Sequence, residues 1–346
     1  MKKDTRRNSF LLFLTATIWG LAFVSQSKAM DYMGPLTFHG VRCLIGTLTL
    51  VVYILIKQLC TGNGAKALSG ENVTSEEKIN SGKNSIPWKN SIPWKNSIPW
   101  KNSIPWKNSI PWKTQLQAGL WCGLAFTVAG ALQQVGIQYT SVGKAGFITT
   151  LYIIFVPILG IFIGKKIALP VWVGAVMAAV GMYLLCMSES LSLGKGDILV
   201  FLCAIAFAIH ILLVDYYSPK VDGAVLACTQ FFVCGVLCTI GALLWEHPSI
   251  AQIQDGIGAI LYAGVLSCGV AYTLQIVGQR DVNPTVAALI MSLESVISTV
   301  AAWVAYKIGF LTTDQTLTTR QIMGCVIVFA AVILVQLPIG KKQRRQ

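Results

Sequence analysis

The chain has 346 residues, 54% hydrophobic and only 12% charged, with a mean hydropathy of +0.64. A soluble domain's core cannot take in that much apolar surface, so the chain belongs in a membrane. Its 27 Lys and Arg against 14 Asp and Glu give a net charge of +13, but the basic residues gather at the ends of apolar runs, which excludes a nucleic-acid surface.

A spanning helix needs about 20 mostly apolar residues. Ten stretches qualify: 8–27, 33–56 (broken only by Arg42), 114–141, 145–164, 167–188, 198–214, 223–245, 256–279, 283–306 (broken only by Glu294) and 321–340. They are too long, and too apolar around their circumference, for the alternating ten-residue strands of an outer-membrane barrel. The expected fold class is therefore an all-α integral membrane bundle. The first run also has the outline of a signal peptide, with a basic start, Phe10–Phe23 and Ser27-Lys28-Ala29. Removing it would spoil the even helix count, so it reads as a retained span.

Cytoplasmic loops carry the excess of Lys and Arg. With both termini inside, 21 basic residues fall on the inner side and five on the outer. The expected location is the cytoplasmic membrane, crossed ten times, with both tails cytoplasmic. Cys43, Cys122, Cys186, Cys203, Cys228, Cys234, Cys238, Cys268 and Cys325 lie inside apolar runs and read as small hydrophobes. Cys234 and Cys238 share a helix face, but the pattern supplies no His or further Cys beside them, so neither metal nor cofactor is expected.

Residues 132–151 align on 274–293 at a constant offset of 142, with seven of twenty positions identical, Gln133/Gln275 and Gly136/Gly278 among them. Each half then holds five spans. An odd number makes the second copy enter the membrane from the opposite side, as in secondary transporters with inverted repeats and a site near the midplane. The expected division is 1–58 (helices 1–2 of the first repeat), 59–114 (an inserted cytoplasmic loop), 115–188 (helices 3–5) and 189–346 (the second repeat and a basic tail). The insertion holds five perfect copies of Lys-Asn-Ser-Ile-Pro-Trp over 83–112. Its recurrent prolines forbid a continuous helix. It reads either as a Lys/Trp segment drawn to an anionic leaflet or as a tandem duplication tolerated because loop length costs little.

Trp19-Gly20, Gly-Ile-Gln-Tyr-Thr-Ser at 136–141 leading into Lys144-Ala145-Gly146-Phe147, and Pro284 followed by Ala287-Ala288-Leu289 and Ser292-Leu293-Glu294 together resemble the EamA-type permeases of the drug/metabolite transporter superfamily. The resemblance covers the chain except about 59–113. It implies ten helices around a central cavity, alternating access, and substrates ranging from amino acids to other small metabolites and drugs.

Ionisable groups at bilayer depth usually face a cavity or a partner. Glu294, midway along the ninth span, reads as a proton-titrating or amine-binding carboxyl, or else as a paired group that locks helices together. Arg42 could bind a substrate carboxylate or snorkel outward. His210 could take a proton or simply pack. Gln133 and Gln275, related by the repeat, could offer neutral hydrogen bonds to one solute or bond across helices. Trp19, Tyr152 and Tyr272 are candidates for an apolar cavity wall. Pro157, Gly136 and Gly278 read as mechanical elements.

The expectation is a secondary transporter, not an enzyme, moving small polar or zwitterionic metabolites, with export the expected direction and proton coupling an open option. Its partners would be a small molecule and the lipid bilayer, with no nucleic acid, in a monomer or homodimer. One alternative is a membrane enzyme acting on lipid or an isoprenoid carrier, which would need clustered Asp, His, Cys or Glu at a membrane face. A channel or a regulatory receptor is another, separated by turnover and saturability. Deleting residues 83–112 is expected to leave flux unchanged; a strong loss of flux at normal membrane insertion would contradict the duplication reading.

Overall fold

A computed structural model describes residues 3–60, 111–140, 142–165, 167–186, 194–280, 282–309 and 318–336. The expected inserted loop, 59–114, lies outside them except at its two ends, 59–60 and 111–114. The described chain is helical, with no strand among those residues. Its rods are α1 (Lys3–Ala29), α2 (Pro35–Cys60), α3 (Trp112–Ile137), α4 (Val142–Thr150 and Tyr152–Phe162), α5 (Leu169–Cys186), α6 (Lys195–Tyr217) and α7 (Gly223–Trp245). A short helix, Ile250–Asp255, precedes α8 (Ile257–Leu261, a π-helical stretch Tyr262–Ala271, then Tyr272–Gln279), followed by α9 (Pro284–Met291 and Leu293–Lys307) and α10 (Thr319–Gln336). Among the described residues, eight segments are long and apolar enough to cross a membrane, while α5 and α10 contribute shorter apolar helices, Leu169–Leu184 and Thr319–Val335.

Local chemistry sets the ends. Asp222 caps α7 by accepting from the Ala224 and Val225 amides at 2.9 and 3.2 Å, and Asn283 caps α9 just before Pro284, which has no amide hydrogen to satisfy. The start of α2 is capped from a distance: the Glu246 carboxylate accepts from the Leu36 amide and from the Thr37 amide and hydroxyl, each at 2.7 Å. A carboxylate there also complements the helix dipole. Gly164 and Gly309, at φ 78° and 75°, take the left-handed conformation that ends α4 and α9.

The bundle is apolar outside and polar within. Leu48, Leu55, Phe162 and Leu243 are exposed, whereas Thr15, His39, Arg42, His210, Gln230 and Gln279 are buried. This inversion suits a lipid surround, where polar groups must find their partners inside the protein. α1 packs on α8 and α9, and α6 on α3 and α4; α2 packs on α7 and α8, and α7 on α3; α5 pairs with α10.

Gly136 and Gly278, expected to be mechanical, are sites of close approach. A Cβ on Gly136 would stand 2.5 Å from Val200 Cγ2, and one on Gly278 would stand 3.0 Å from Leu12 Cγ. Small residues at such contacts let helices pack backbone to backbone without a hydrophobic driving force. Gly136→Val is expected to lower stability by about 1–3 kcal/mol through overpacking of α3 against α6. Thermal unfolding in detergent checks this, and an unchanged midpoint would refute it.

Candidate functional site

Two of the rods are broken halfway: α4 at Leu151 and α9 at Ser292. Pro157 lies in the second piece of α4, buried, well beyond the break. Around the break in α9 the serine hydroxyls take up backbone carbonyls, with Ser292 Oγ donating to Leu289 O at 2.7 Å and Ser295 Oγ to Ser292 O at 2.7 Å. Tyr152 follows the first break directly, and Glu294 follows the second by two residues. These two residues meet: Tyr152 Oη donates to Glu294 Oε1 at 3.0 Å, and both are buried. Their separation of 142 residues equals the repeat offset read from the sequence.

The Tyr152–Glu294 pair lines a central cavity, and so do Trp19, Arg42, Gln133, His210, Tyr272 and Gln275. All eight side chains singled out in the sequence as candidate binding residues therefore come to one place, from seven different rods. The cavity's wall is aromatic. Trp19 lies 4.5 Å from Tyr272, ring centre to ring centre, and Phe126 packs edge-on against Tyr272 at 4.9 Å.

The polar groups are only partly satisfied by the protein. Gln133 Nε2 donates to Thr149 Oγ1 at 3.2 Å, and His210 Nε2 bonds Gln230 Oε1 at 3.1 Å. Trp19 Nε1, Gln26 Oε1 and Gln275 Oε1 are buried with no hydrogen-bond partner among the described residues. Buried donors and acceptors are costly to leave unpaired, so these three look to the cavity's contents for their partners.

Arg42 is 4% exposed, so it does not snorkel outward. Its Nε donates to His39 Nδ1 at 3.0 Å, and its guanidinium lies 5.3 Å from the Phe38 ring centre. No carboxylate among the described residues forms an ion pair with it, and no cation pairs with Glu294. The cavity thus presents one cationic and one carboxyl side chain, neither paired with an opposite charge. In this conformation it holds about 40 Å³ of free space, room for a few waters.

A sequence model of the EamA-like transporter family matches residues 7–68, 92–187 and 194–337, most of the chain. The chain belongs to the EamA-like transporter family. An uncharacterized transporter of Archaeoglobus fulgidus is 30% identical over 220 residues, 63% of this chain and 68% of its own. A protein of known crystal structure superposes with a TM-score of 0.67 at 12% sequence identity, covering 98% of this chain and 99% of its own; that likeness concerns the fold. The resemblance carried by the motifs at 136–147 and 284–294 is thereby borne out, and the protein is a multi-pass membrane transporter.

Sequence reasoning missed several cavity residues of this transporter. Phe23, Gln26, Thr149, Phe207, Ile211 and Ser267 also line the site. Apolar residues and small hydroxyls in a spanning helix carry no signal of their own, and only Gln26, an amide late in the first span, could have been picked out. A second polar cluster was also missed. Cys234 and Cys238, left without a further ligand in the sequence, have His39 and Cys43 of α2 beside them.

Proposed function

We propose that this EamA-type transporter moves a small zwitterionic metabolite, an amino acid or a related compound, outward across the cytoplasmic membrane by alternating access, with proton exchange at Glu294 as the coupling option. The observation that carries the reading is the presence of Arg42 and Glu294 in one cavity, each without an oppositely charged partner among the described residues. Charges at bilayer depth need partners. A solute with a carboxylate at one end and an ammonium at the other supplies both at once. Gln133 and Gln275 add neutral hydrogen bonds, and the Trp19–Tyr272 wall holds the apolar remainder.

The reading of ten spans in two inverted five-helix halves is supported by the pairing of the rods. Replacing each rod by its counterpart five places on exchanges α1 on α8 and α9 for α6 on α3 and α4, exchanges α2 on α8 for α7 on α3, and leaves the α2–α7 and α5–α10 pairs in place. Inside termini are favoured by the rod ends that gather Lys57, Lys165, Lys220 and Arg280. There Lys57 pairs with Asp222 at 3.4 Å, Lys165 pairs with Asp215, and Arg280 donates to Val221 O at 2.8 Å. Against a membrane enzyme stands the commitment of carboxylates near the rod ends to caps and ion pairs, as at Asp215, Asp222 and Glu246.

Flux of a panel of labelled amino acids and their decarboxylated amines in proteoliposomes, with trans-stimulation by unlabelled solute, tests this. Saturable exchange of a zwitterion supports it. Exchange of amines alone would remove Arg42 from the contact set, and linear, non-saturable flux would favour a channel.

A further inference from the structure

The transport cavity does not use the cluster packed against Arg42 at the α2–α7 contact. There, Cys234 Sγ lies 3.3 Å from His39 Nε2, 3.5 Å from Cys43 Sγ and 3.9 Å from Cys238 Sγ. The donor atoms of His39, Cys234 and Cys238 all fall within 4.8 Å of one another, and all four side chains are buried. Two come from successive turns of α2 and two from successive turns of α7. A tetrahedral Zn²⁺ site with Zn–S of about 2.3 Å and Zn–N of about 2.0 Å has edges of about 3.8 Å between sulfurs and about 3.5 Å from sulfur to nitrogen. The three contacts of Cys234 match those edges to within a few tenths of an ångström; Cys43 Sγ lies more than 4.8 Å from at least one of the other two donors, so it closes the tetrahedron only when its side chain swings inward.

We infer that His39, Cys43, Cys234 and Cys238 form a site for a thiophilic divalent cation of the Zn²⁺ class, clamping α2 to α7. Three sulfurs and one imidazole nitrogen are the donor set such ions favour in closed four-coordinate sites. Binding deprotonates the three thiols and moves the imidazole proton from Nε2 to Nδ1, so protons leave and no electrons change hands. Three thiolates with one dication leave a single negative charge. Arg42, whose Nε donates to His39 Nδ1 at 3.0 Å in the metal-free protein, gives up that bond once Nδ1 carries the proton and still lines the cavity. α3 leaves room for the ring: a Cβ at Gly130 would fall 2.2 Å from His39 Nε2.

The test uses the full chain purified in detergent under a phosphine reductant, with Zn²⁺ and Cd²⁺ as probes. One equivalent should bind with release of about three protons, a thiolate-to-metal charge-transfer band with Cd²⁺, and a raised unfolding temperature. Loss of a single ligand should weaken binding by at least about a hundredfold, since even outer-shell changes cost tenfold to a hundredfold. This is expected of Cys234→Ser, whereas Cys325→Ser, on α10 outside the cluster, should bind as the wild type does. Should Cys234→Ser fail to fold, Cys238→Ser and His39→Gln are expected to give the same loss. Absence of saturable binding, or binding that survives these substitutions, would overturn the site and leave a thiol hydrogen-bond network.

Discussion

Glu294→Gln is expected to cut substrate exchange by about 10- to 100-fold while leaving the folded protein in the membrane. Glutamine keeps the size and an acceptor for Tyr152 Oη, which bonds Glu294 Oε1 at 3.0 Å, so the bundle loses little. What disappears is the carboxyl group proposed to meet an ammonium group or to carry a proton. A hydrogen bond to a charged group contributes about 1.5–3 kcal/mol, which at about 1.4 kcal/mol per decade gives the range above. The same variant should lose the pH dependence of flux if Glu294 couples transport to protons. Tyr152→Phe is a useful companion: it removes the donor but not the carboxyl, so a smaller loss is expected, about tenfold. Exchange rates across a pH series at matched membrane expression check both. Wild-type flux with unchanged pH dependence in Glu294→Gln would remove this residue from the mechanism.

Arg42→Gln should separate substrates by their carboxylate. Affinity for a transported amino acid is expected to fall about 10- to 100-fold, with the decarboxylated amine bound about as well by variant and wild type. The geometry behind this is a guanidinium at 4% exposure that lines the cavity, bonds only His39 through Nε, and has no anionic partner among the described residues. Arg42→Lys keeps the charge but not the planar fork that grips a carboxylate with two parallel bonds, so an intermediate loss is expected. Competition by the amino acid and by its amine against a labelled substrate gives the two affinities. Equal losses for both would mean that Arg42 acts through packing.

Much of the cavity was legible in the sequence because its signals are local. An apolar run of bilayer length is a spanning helix whatever its neighbours do, and a Glu or Arg inside it is conspicuous because it is expensive there. The sequence offset of 142 drew attention to Tyr152, Gln133 and Gln275, because in a transporter built of inverted repeats the site is expected between the halves. The breaks in α4 and α9 were less legible: Pro157 drew attention, yet the rods part at Leu151 and Ser292. Gly136 and Gly278 looked mechanical in the sequence, and whether a glycine bends a helix or admits a neighbour depends on what packs against it. Here Val200 and Leu12 do.

The sequence by itself determined the membrane environment, the apolar helices and the charges buried among them, because hydropathy and charge act along the chain. The tertiary structure decided which of those groups meet. Tyr152 reaches Glu294 across 142 residues, Glu246 caps α2 across 210, and Cys234 joins His39 across 195. Such contacts rest on the packing of small residues and polar side chains between rods, where apolar surface drives nothing because lipid is as apolar as leucine. That packing is settled by shape and hydrogen bonding in three dimensions, and a one-dimensional pattern carries neither.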